Sequence, residues 1–246
     1  TRFKAKNPRS WWLRFHTQTA GCSLTAQQPY NNVVRTSLEA LSAVLGGTQS
    51  LHTNSLDEVL AIPTEEAATI ALRTQQIIAE ESGVANTIDP LGGSYFVEAL
   101  TDKMEEEAFS IIEKIDQMGG MLAAIEHNYP QREIADSAYL YQRQVDSGEK
   151  TVVGVNKYRT DETIPVEMME IDEELERLQI QKTSRVKEHR NSSEVRECLE
   201  GLGEACVSGK NVMERLIEAS KAYATLQEMC DVFRASFGEY RDPGIY

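Results

Sequence analysis

The stretch "WWLRFHTQTAGCSLT", residues 11–25, has the alternation of a β-strand that is buried on one side. With the two-residue period of a strand, Leu13 and Phe15 fall on one face, where their apolar side chains predict burial. The opposite face carries a cation, an imidazole and an amide: Arg14, His16 and Gln18. Burying such groups without partners costs about 1–3 kcal/mol each. This polar face is therefore expected to meet either bonding partners within the protein or a ligand.

Helix-like and strand-like segments alternate after this strand. A helix is predicted over residues 30–47, a second strand over 48–54 ("TQSLHTN"), and a second helix over 63–83, which Thr64 caps and Gly83 ends. Val34, Leu38, Leu41 and Leu45 recur at helical spacing in the first helix. In the second helix the inner stripe is Ala67, Ile70, Ala71, Thr74, Ile77 and Ile78. The βαβα order predicts an α/β fold with parallel strands.

From residue 97 onward nearly all of the chain has helical periodicity. The predicted helices cover 97–120, 130–148, 171–188, 194–207 and 211–237, the last broken at a capping box of Thr225 and Glu228. The one late strand predicted is "TVVGVNKY", residues 151–158. Two parallel strands cannot close a barrel or bury both faces of a sheet, so their partner strands must come from elsewhere. We expect a division into residues 1–90 and 91–246, in the loop "TIDPLGGSY".

Composition excludes several classes of partner. The net charge of −14 opposes binding to nucleic acids and to anionic membranes. No stretch approaches ~18 uninterrupted apolar residues, so no membrane span is expected, and the first residues lack the apolar core of a signal peptide. Four scattered cysteines indicate free thiols in a reducing cytoplasm. The four histidines lack the spacing of metal ligands, which predicts that there is no metal site.

Polar side chains gather where the two predicted strands end. The first strand offers His16 and Gln18, and the second offers Gln49, His52 and Asn54. In an α/β barrel, polar groups at the carboxyl ends of the strands face the mouth of the active site. A polar cluster bonded within a core or at a subunit seam is the alternative. The repetition on two neighbouring strands favours a site.

Two further segments carry alternative interpretations. Ser55 and Glu58 have the spacing of a capping box, which is a sufficient structural role for Glu58, although the same helix start could also present Glu58 to a ligand. The charged segment "EELERLQIQKTSRVKEHR", residues 173–190, has a leucine and isoleucine stripe. It predicts a packed surface helix or a docking helix for another chain in preference to a nucleic-acid-binding helix.

Four segments together resemble the acyl-CoA mutases that depend on adenosylcobalamin: "RFHTQTAGCSLTAQQPYNNVVRTSLEAL", "GGTQSLHTNSLDEVLAIP", "DPLGGSYFVEALT" and "VVGVNKY". The resemblance implies that residues 1–90 are the last two βα units, with strands seven and eight, of a TIM (β/α)8 barrel. Residues 91–246 would be a mainly helical region that packs on the barrel and on a partner subunit. The polar face of the strands would look onto a channel in which the acyl-CoA lies.

The resemblance also implies roles for single residues. Gly21, Glu58 and Ala61 match positions that contact adenosylcobalamin, with Glu58 on the adenosyl ribose. His16 and Gln18 match interior positions near the reaction centre and are the predicted catalytic residues. Gln49 and Asn54 match positions at the rim of strand eight and are predicted to bind the cofactor. In such mutases homolysis of the cobalt–carbon bond starts a radical rearrangement, and the protein orients the reactants and excludes water.

Parts of such a mutase are missing from the sequence. The first six barrel strands are absent, as is the DxHxxG motif of a cobalamin domain. The resemblance therefore implies two partners, an N-terminal barrel fragment and a separate cobalamin-binding subunit, whether the chain is a natural split subunit or a truncation. The expected reaction converts (R)-methylmalonyl-CoA to succinyl-CoA. Isobutyryl-, ethylmalonyl- and 2-hydroxyisobutyryl-CoA are alternative substrates, and a non-catalytic assembly or docking subunit is the alternative function.

Overall fold

The computed structural model describes residues 3–161, 166, 168–241 and 244. Contacts divide the chain into two compact units, Thr1–Met169 and Glu170–Gly244. The described residues contain strands β1 (His16–Gln18) and β2 (Ser50–His52) and helices α1 (Asn31–Leu45), α2 (Glu65–Glu80), α3 (Tyr95–Gln117), α4 (Met121–Glu126), α5 (Tyr129–Ser147), α6 (Glu173–His189), α7 (Ser192–Ser208), α8 (Met213–Lys221) and α9 (Leu226–Phe237). This is a mostly helical α/β chain. The end of the predicted helical region, at 242–243 and 245–246, lies outside the described residues, and the division at residue 90 stays a prediction.

The two strands are parallel and joined by α1, which confirms the predicted βαβα order. His16 lies opposite Ser50, Thr17 opposite Leu51, and Gln18 opposite His52. Both strands are only three residues long, and the chain before β1 forms a 3-10 helix, Pro8–Trp11, instead of strand. The expected burial at the start of the quoted stretch is wrong in this chain, because Trp11, Trp12 and Leu13 are 62–78% exposed.

The two faces of the small sheet differ as the alternation predicts. Thr17 and Leu51 are partly buried on the face that meets the helices, and Thr53, just after β2, donates to the Ala71 carbonyl of α2 at 2.7 Å. The opposite face carries four exposed polar side chains: His16, Gln18, Ser50 and His52. No helix of the described chain covers this second face.

The most deeply buried residues of α1 are mostly polar, and the four apolar residues at helical spacing are not among them, since Leu41 and Leu45 are only half-buried. Its buried residues are Asn32, Thr36 and Ala40, whereas Val34 and Leu38 are 59% and 62% exposed. The physical reason is that Asn32 donates to the carbonyls of Thr25 and Leu56, both at 2.9 Å, and so satisfies buried loop backbone. In α2 the prediction holds for its buried residues, Ala67, Ala71, Thr74 and Ile78, but is wrong for Ile77, which is 51% exposed.

The predicted capping box of Ser55 and Glu58 is wrong. Residues 56–62 form turns and bends, and α2 begins only at Glu65, where Thr64 accepts from the Ala67 amide as predicted. Pro63 gives the reason, since the residue before a proline is disfavoured in helical conformation. The Ser55 hydroxyl is buried without a bonding partner among the described residues, and Glu58 is left free of a capping role.

The predicted late strand "TVVGVNKY" is a turn. Only a single bridge joins Val153 to Lys157, around Gly154, which has a φ of +83°. Arg35 of α1 donates to the Val153 carbonyl at 2.8 Å and so fixes this turn against the first helix. The predicted long helices are otherwise confirmed as α3, α5, α6 and α7, and the short α4 was not expected.

The second unit is a helical cluster of α7, α8 and α9 with a small-residue core. Leu202, Ala205, Ala219 and Ala222 are buried there. The break predicted at Thr225 is confirmed as a complete capping box with Glu228. Among the helices that the structure describes, none is long and apolar enough to cross a membrane.

An ion pair fixes the start of α9. Two guanidinium nitrogens of Arg190 lie 2.5 and 2.7 Å from the two carboxylate oxygens of Glu228, and Arg190 also donates to the Tyr223 carbonyl at 2.9 Å. The hydrogen bond from Arg190 is the main cause that lowers the pKa of Glu228 from 4.5 to about 2, with a smaller contribution from Thr225. The bidentate geometry makes this contact stronger than an ordinary surface pair.

We expect Glu228→Gln to lower the free energy of unfolding at pH 7 by about 1–2 kcal/mol, since the partly buried Arg190 loses its anion. A carboxyl whose pKa is depressed in the folded state stabilises the fold above its unfolded pKa, and this stabilisation is lost as pH falls from about 4.5 to about 2. Urea unfolding from pH 7 to pH 2 measures both effects. The variant should show a flatter acid dependence, and Glu218→Gln, in an exposed pair with Arg215, should match the parent.

Candidate functional site

Asn54 is the fixed centre of the cluster at the carboxyl ends of the strands. It is 2% exposed, its side-chain amide donates to the Thr19 carbonyl at 3.0 Å, and its backbone amide donates to the Thr19 hydroxyl at 2.9 Å. Its side-chain oxygen accepts from Gln18 at 3.3 Å. These bonds hold Gln18 and Asn54 side by side across the ends of β1 and β2.

Gly21 and Glu58 lie next to this pair. A Cβ atom built on Gly21 would be 3.1 Å from a carboxylate oxygen of Glu58 and 3.4 Å from the amide nitrogen of Asn54. The absence of a side chain at Gly21 therefore lets the Glu58 carboxylate and the Asn54 amide lie close to its backbone. Glu58 itself is exposed, so its carboxylate is available to a ligand.

Asp57 holds the turn that carries Glu58 and Ala61. Asp57 is 1% exposed, and one of its carboxylate oxygens accepts from the Thr64 amide at 2.9 Å and the Thr64 hydroxyl at 3.0 Å. Its backbone carbonyl accepts from the Ala61 amide at 3.1 Å. The buried side chain thus ties the exposed turn to the first residues of α2.

His16 and Gln49 lie away from Asn54. The His16 imidazole contacts the Ser50 hydroxyl across the strands. Gln49 comes before β2, where its side chain accepts from the Phe15 amide at 2.9 Å and donates to the Gly47 carbonyl. The structure therefore brings together Gln18, Gly21, Asn54 and Glu58, with Ala61 on the same turn, and does not bring Gln49 to them.

The sequence pattern did not single out Ser50 and Thr19. Ser50 shares the exposed sheet face with His16, and the alternation from His52 could have identified it. Thr19 is 4% exposed and bonds Asn54 through both its hydroxyl and its carbonyl, and no short-range signal marks that contact across 35 residues.

The cluster offers hydrogen-bond donors and acceptors. Amides, one imidazole and one carboxylate suit a ligand with hydroxyl, carbonyl or amide groups. Among the described residues no three His, Cys, Asp or Glu side chains are grouped as metal ligands would be. The arrangement can bind and orient a polar molecule.

Comparison with known proteins identifies the family. The family model described as methylmalonyl-CoA mutase matches residues 1–239. The 2-hydroxyisobutanoyl-CoA mutase large subunit of Aquincola tertiaricarbonis is 48% identical over the whole of this chain, which covers 44% of that relative. The methylmalonyl-CoA mutases of Rhizobium meliloti and Homo sapiens (mitochondrial) are each 44% identical over 97% of this chain, which spans 34% and 32% of their lengths. The chain thus spans less than half of these curated relatives, and it belongs to the methylmalonyl-CoA mutase family.

Proposed function

We propose that this chain is a component of an adenosylcobalamin-dependent acyl-CoA mutase, an isomerase that rearranges the carbon skeleton of its substrate, most simply (R)-methylmalonyl-CoA to succinyl-CoA. The observation that carries the proposal is the close approach of Gln18, Gly21, Asn54 and Glu58 at the ends of β1 and β2, in a chain of this family. The relatives include a 2-hydroxyisobutanoyl-CoA mutase, so that acyl group is a second candidate substrate.

The strands are proposed to be the last two of a (β/α)8 barrel. Two short parallel strands with a helical crossover are a repeating unit of that fold, and both carry polar side chains on the face away from the helices. In a closed barrel that face points inward. His16, Gln18, Ser50 and His52 would then line an axial channel, which explains why the exposed face is polar instead of filled with Val, Ile or Leu.

The residues present fit the adenosyl part of the cofactor. The Glu58 carboxylate is exposed beside the bare backbone of Gly21 and the Asn54 amide, and a carboxylate accepts hydrogen bonds from ribose hydroxyls. Glu58 and Gly21 would hold the ribose, with Ala61 and Asn54 beside it. Adenosylcobalamin, when bound, supplies the radical chemistry. The chain's own residues orient the acyl-CoA through His16 and Gln18 and keep water from the reacting groups.

Two partners complete the proposed enzyme. One is an N-terminal barrel fragment that supplies the remaining strands, and the other is a cobalamin-binding subunit. The chain spans only 44% and 34% of two of its relatives, and its sheet has two strands among the described residues. Both observations support the proposal that further polypeptide is needed to complete the fold. A docking subunit without catalysis is the second candidate function, which the uncovered apolar side chains of α3, Phe96 and Met104 among them, favour.

Reconstitution tests the proposal. The chain is mixed with the N-terminal part of the Aquincola large subunit, a separate cobalamin-binding subunit, adenosylcobalamin and either (R)-methylmalonyl-CoA or 2-hydroxyisobutanoyl-CoA. Formation of the rearranged acyl-CoA, lost when any component is left out, supports the proposal. A stable complex that gives neither product nor a cofactor-dependent radical signal contradicts the proposed catalytic function and supports the docking function.

His16→Ala should lower the kcat of the reconstituted mutase about 10- to 100-fold, because an oriented polar group on the substrate channel is lost. The KM for adenosylcobalamin should change little, since the structure does not place His16 with Glu58 and Gly21. Steady-state kinetics against each reactant measure the two parameters. His127→Ala is the matched control, because His127 is exposed and its imidazole, among the residues that the structure describes, bonds to the Ala123 carbonyl of its own helix. A His16 variant with unchanged kcat would contradict this role.

A further inference from the structure

The side-chain amide of Asn54 can face in only one direction. Its neighbour on one side is the backbone carbonyl of Thr19 at 3.0 Å, and a carbonyl oxygen accepts hydrogen bonds but donates none. The side-chain nitrogen of Asn54 therefore points to Thr19, because an oxygen in that place would face another oxygen at bonding distance. The Asn54 backbone fixes the residue further, since its amide donates to the Thr19 hydroxyl at 2.9 Å and its carbonyl accepts from the Thr36 hydroxyl at 3.5 Å.

The direction of the Asn54 amide determines that of the Gln18 amide. With its nitrogen on Thr19, Asn54 turns its side-chain oxygen to Gln18, whose nitrogen lies 3.3 Å away. Because the Asn54 oxygen can only accept, Gln18 donates to it through its own nitrogen, and the Gln18 oxygen is directed away from Asn54. Gln18 is exposed on the polar face of the sheet. Its oxygen is therefore available to a hydroxyl or N–H group of a ligand.

Burial separates the roles of these residues. Asn54 is 2% exposed and Thr19 is 4% exposed, so their side chains have little surface left for a ligand, whereas Gln18 is open to one. We propose that Asn54 is a positioning residue, which acts on the ligand through Gln18 by fixing the direction of its amide. This inference rests on the proposed function, in which Gln18 orients the acyl-CoA. An amide that is held before the ligand arrives loses less conformational freedom on binding.

A double-mutant cycle in the reconstituted mutase tests the proposal. Gln18→Ala should lower kcat about tenfold, because one hydrogen bond to the ligand is lost. Asn54→Ala should lower kcat about fivefold and leave the adenosylcobalamin concentration for half-maximal activity within about twofold of the parent, since Asn54 does not hold the cofactor itself. The double variant N54A/Q18A should stay within about twofold of Gln18→Ala, because Asn54 then has no amide to position. Independent effects, which multiply to about 50-fold, or an unchanged kcat in Asn54→Ala would overturn the proposal.

Thr17→Val is the matched control for a loosened strand. Thr17 precedes Gln18 in β1 and donates to the Thr48 hydroxyl at 2.8 Å, on the face that meets the helices. The variant loses a hydrogen bond of the same strand and should keep the kcat of the parent within about twofold. Far-UV circular dichroism verifies that each variant is folded. A kcat in Thr17→Val as low as that in Asn54→Ala would assign the effect to general loosening of β1 and refute the positioning role.

Nuclear magnetic resonance of the chain alone tests the same geometry without enzyme activity. In the parent, the side-chain amide protons of Gln18 should show a nuclear Overhauser contact with the side-chain amide protons of Asn54, and Thr17→Val should keep this contact. Its absence from the parent would overturn the proposal whatever the activity of the reconstituted mixture. A parent chain that shows the contact in a mixture that gives no product would refute the proposed function and not the direction of the Gln18 amide.

Discussion

Replacing Glu58 with alanine is expected to raise the adenosylcobalamin concentration needed for half-maximal activity of the reconstituted mutase about 30- to 100-fold. The physical reason is the loss of charge-assisted hydrogen bonds to the ribose, which contribute about 1.5–3 kcal/mol each, and 1.4 kcal/mol is tenfold in affinity. The stability of the chain should change by less than about 0.5 kcal/mol, since Glu58 is exposed and makes no helix cap. Kinetics with varied cofactor and thermal unfolding measure the two quantities.

Three companion variants show whether the effect belongs to this place in the fold. Glu58→Gln keeps the size and one acceptor oxygen and should lose only part of the affinity. Gly21→Ala puts a methyl group 3.1 Å from the Glu58 carboxylate and should also weaken cofactor use, without backbone strain. Glu80→Ala, an exposed carboxylate at the end of α2, should behave as the parent. If Glu58→Ala lowered kcat with an unchanged cofactor requirement, the ribose role would be refuted.

Helix caps were predicted correctly where their hydrogen bonds join residues that are close in the sequence. Thr64 caps α2, and Thr225 and Glu228 form the capping box that breaks the last helix, since each bond spans three residues. Ser55 and Glu58 have the same spacing but form no box. Pro63 prevents a helix from running through this segment, and its effect outweighs the motif.

The inner face of α1 could not be predicted from periodicity. Helical spacing singled out Val34 and Leu38 as an apolar repeat, yet Asn32 and Thr36 are buried and those two residues are exposed. The partner of Asn32 is the Leu56 carbonyl, 24 residues away, and nothing near Asn32 in the sequence announces that bond. A polar helix face is buried here because it satisfies backbone that the strand ends leave unpaired.

The sequence identified residues of the candidate site but only part of their arrangement in space. The alternation in β1 placed His16 and Gln18 on one face, and the strand ends brought Gln18 to Asn54. Gln49 precedes β2 by one residue, so its side chain turns to Phe15 and Gly47 at the amino end. A strand of three residues is too short for a pattern alone to fix which end each amide occupies.

Asn32→Ala is expected to lower the free energy of unfolding of the chain by about 3 kcal/mol, because Asn32 is completely buried and bonds two loops and a side chain. Its amide donates to the Thr25 and Leu56 carbonyls, and its oxygen accepts from the Thr25 amide at 3.1 Å and from Arg35 at 2.7 Å. Alanine leaves the buried Leu56 carbonyl and the partly buried amide and carbonyl of Thr25 without this partner, at a cost larger than that of the bonds themselves.

The neighbouring asparagine provides the control for that measurement. Asn31→Ala removes one partly buried bond, from its amide to the Gln28 side chain at 2.9 Å, and should cost less than about 1 kcal/mol in the same urea titration. Because Asn32 holds the loop that leads into Asn54 and Glu58, its replacement should also loosen the candidate site. Hydrogen exchange of the 54–61 amides should become faster in Asn32→Ala and not in Asn31→Ala. Equal losses of stability in the two variants would show that helix propensity at the start of α1, and not the buried bonds of Asn32, governs the effect.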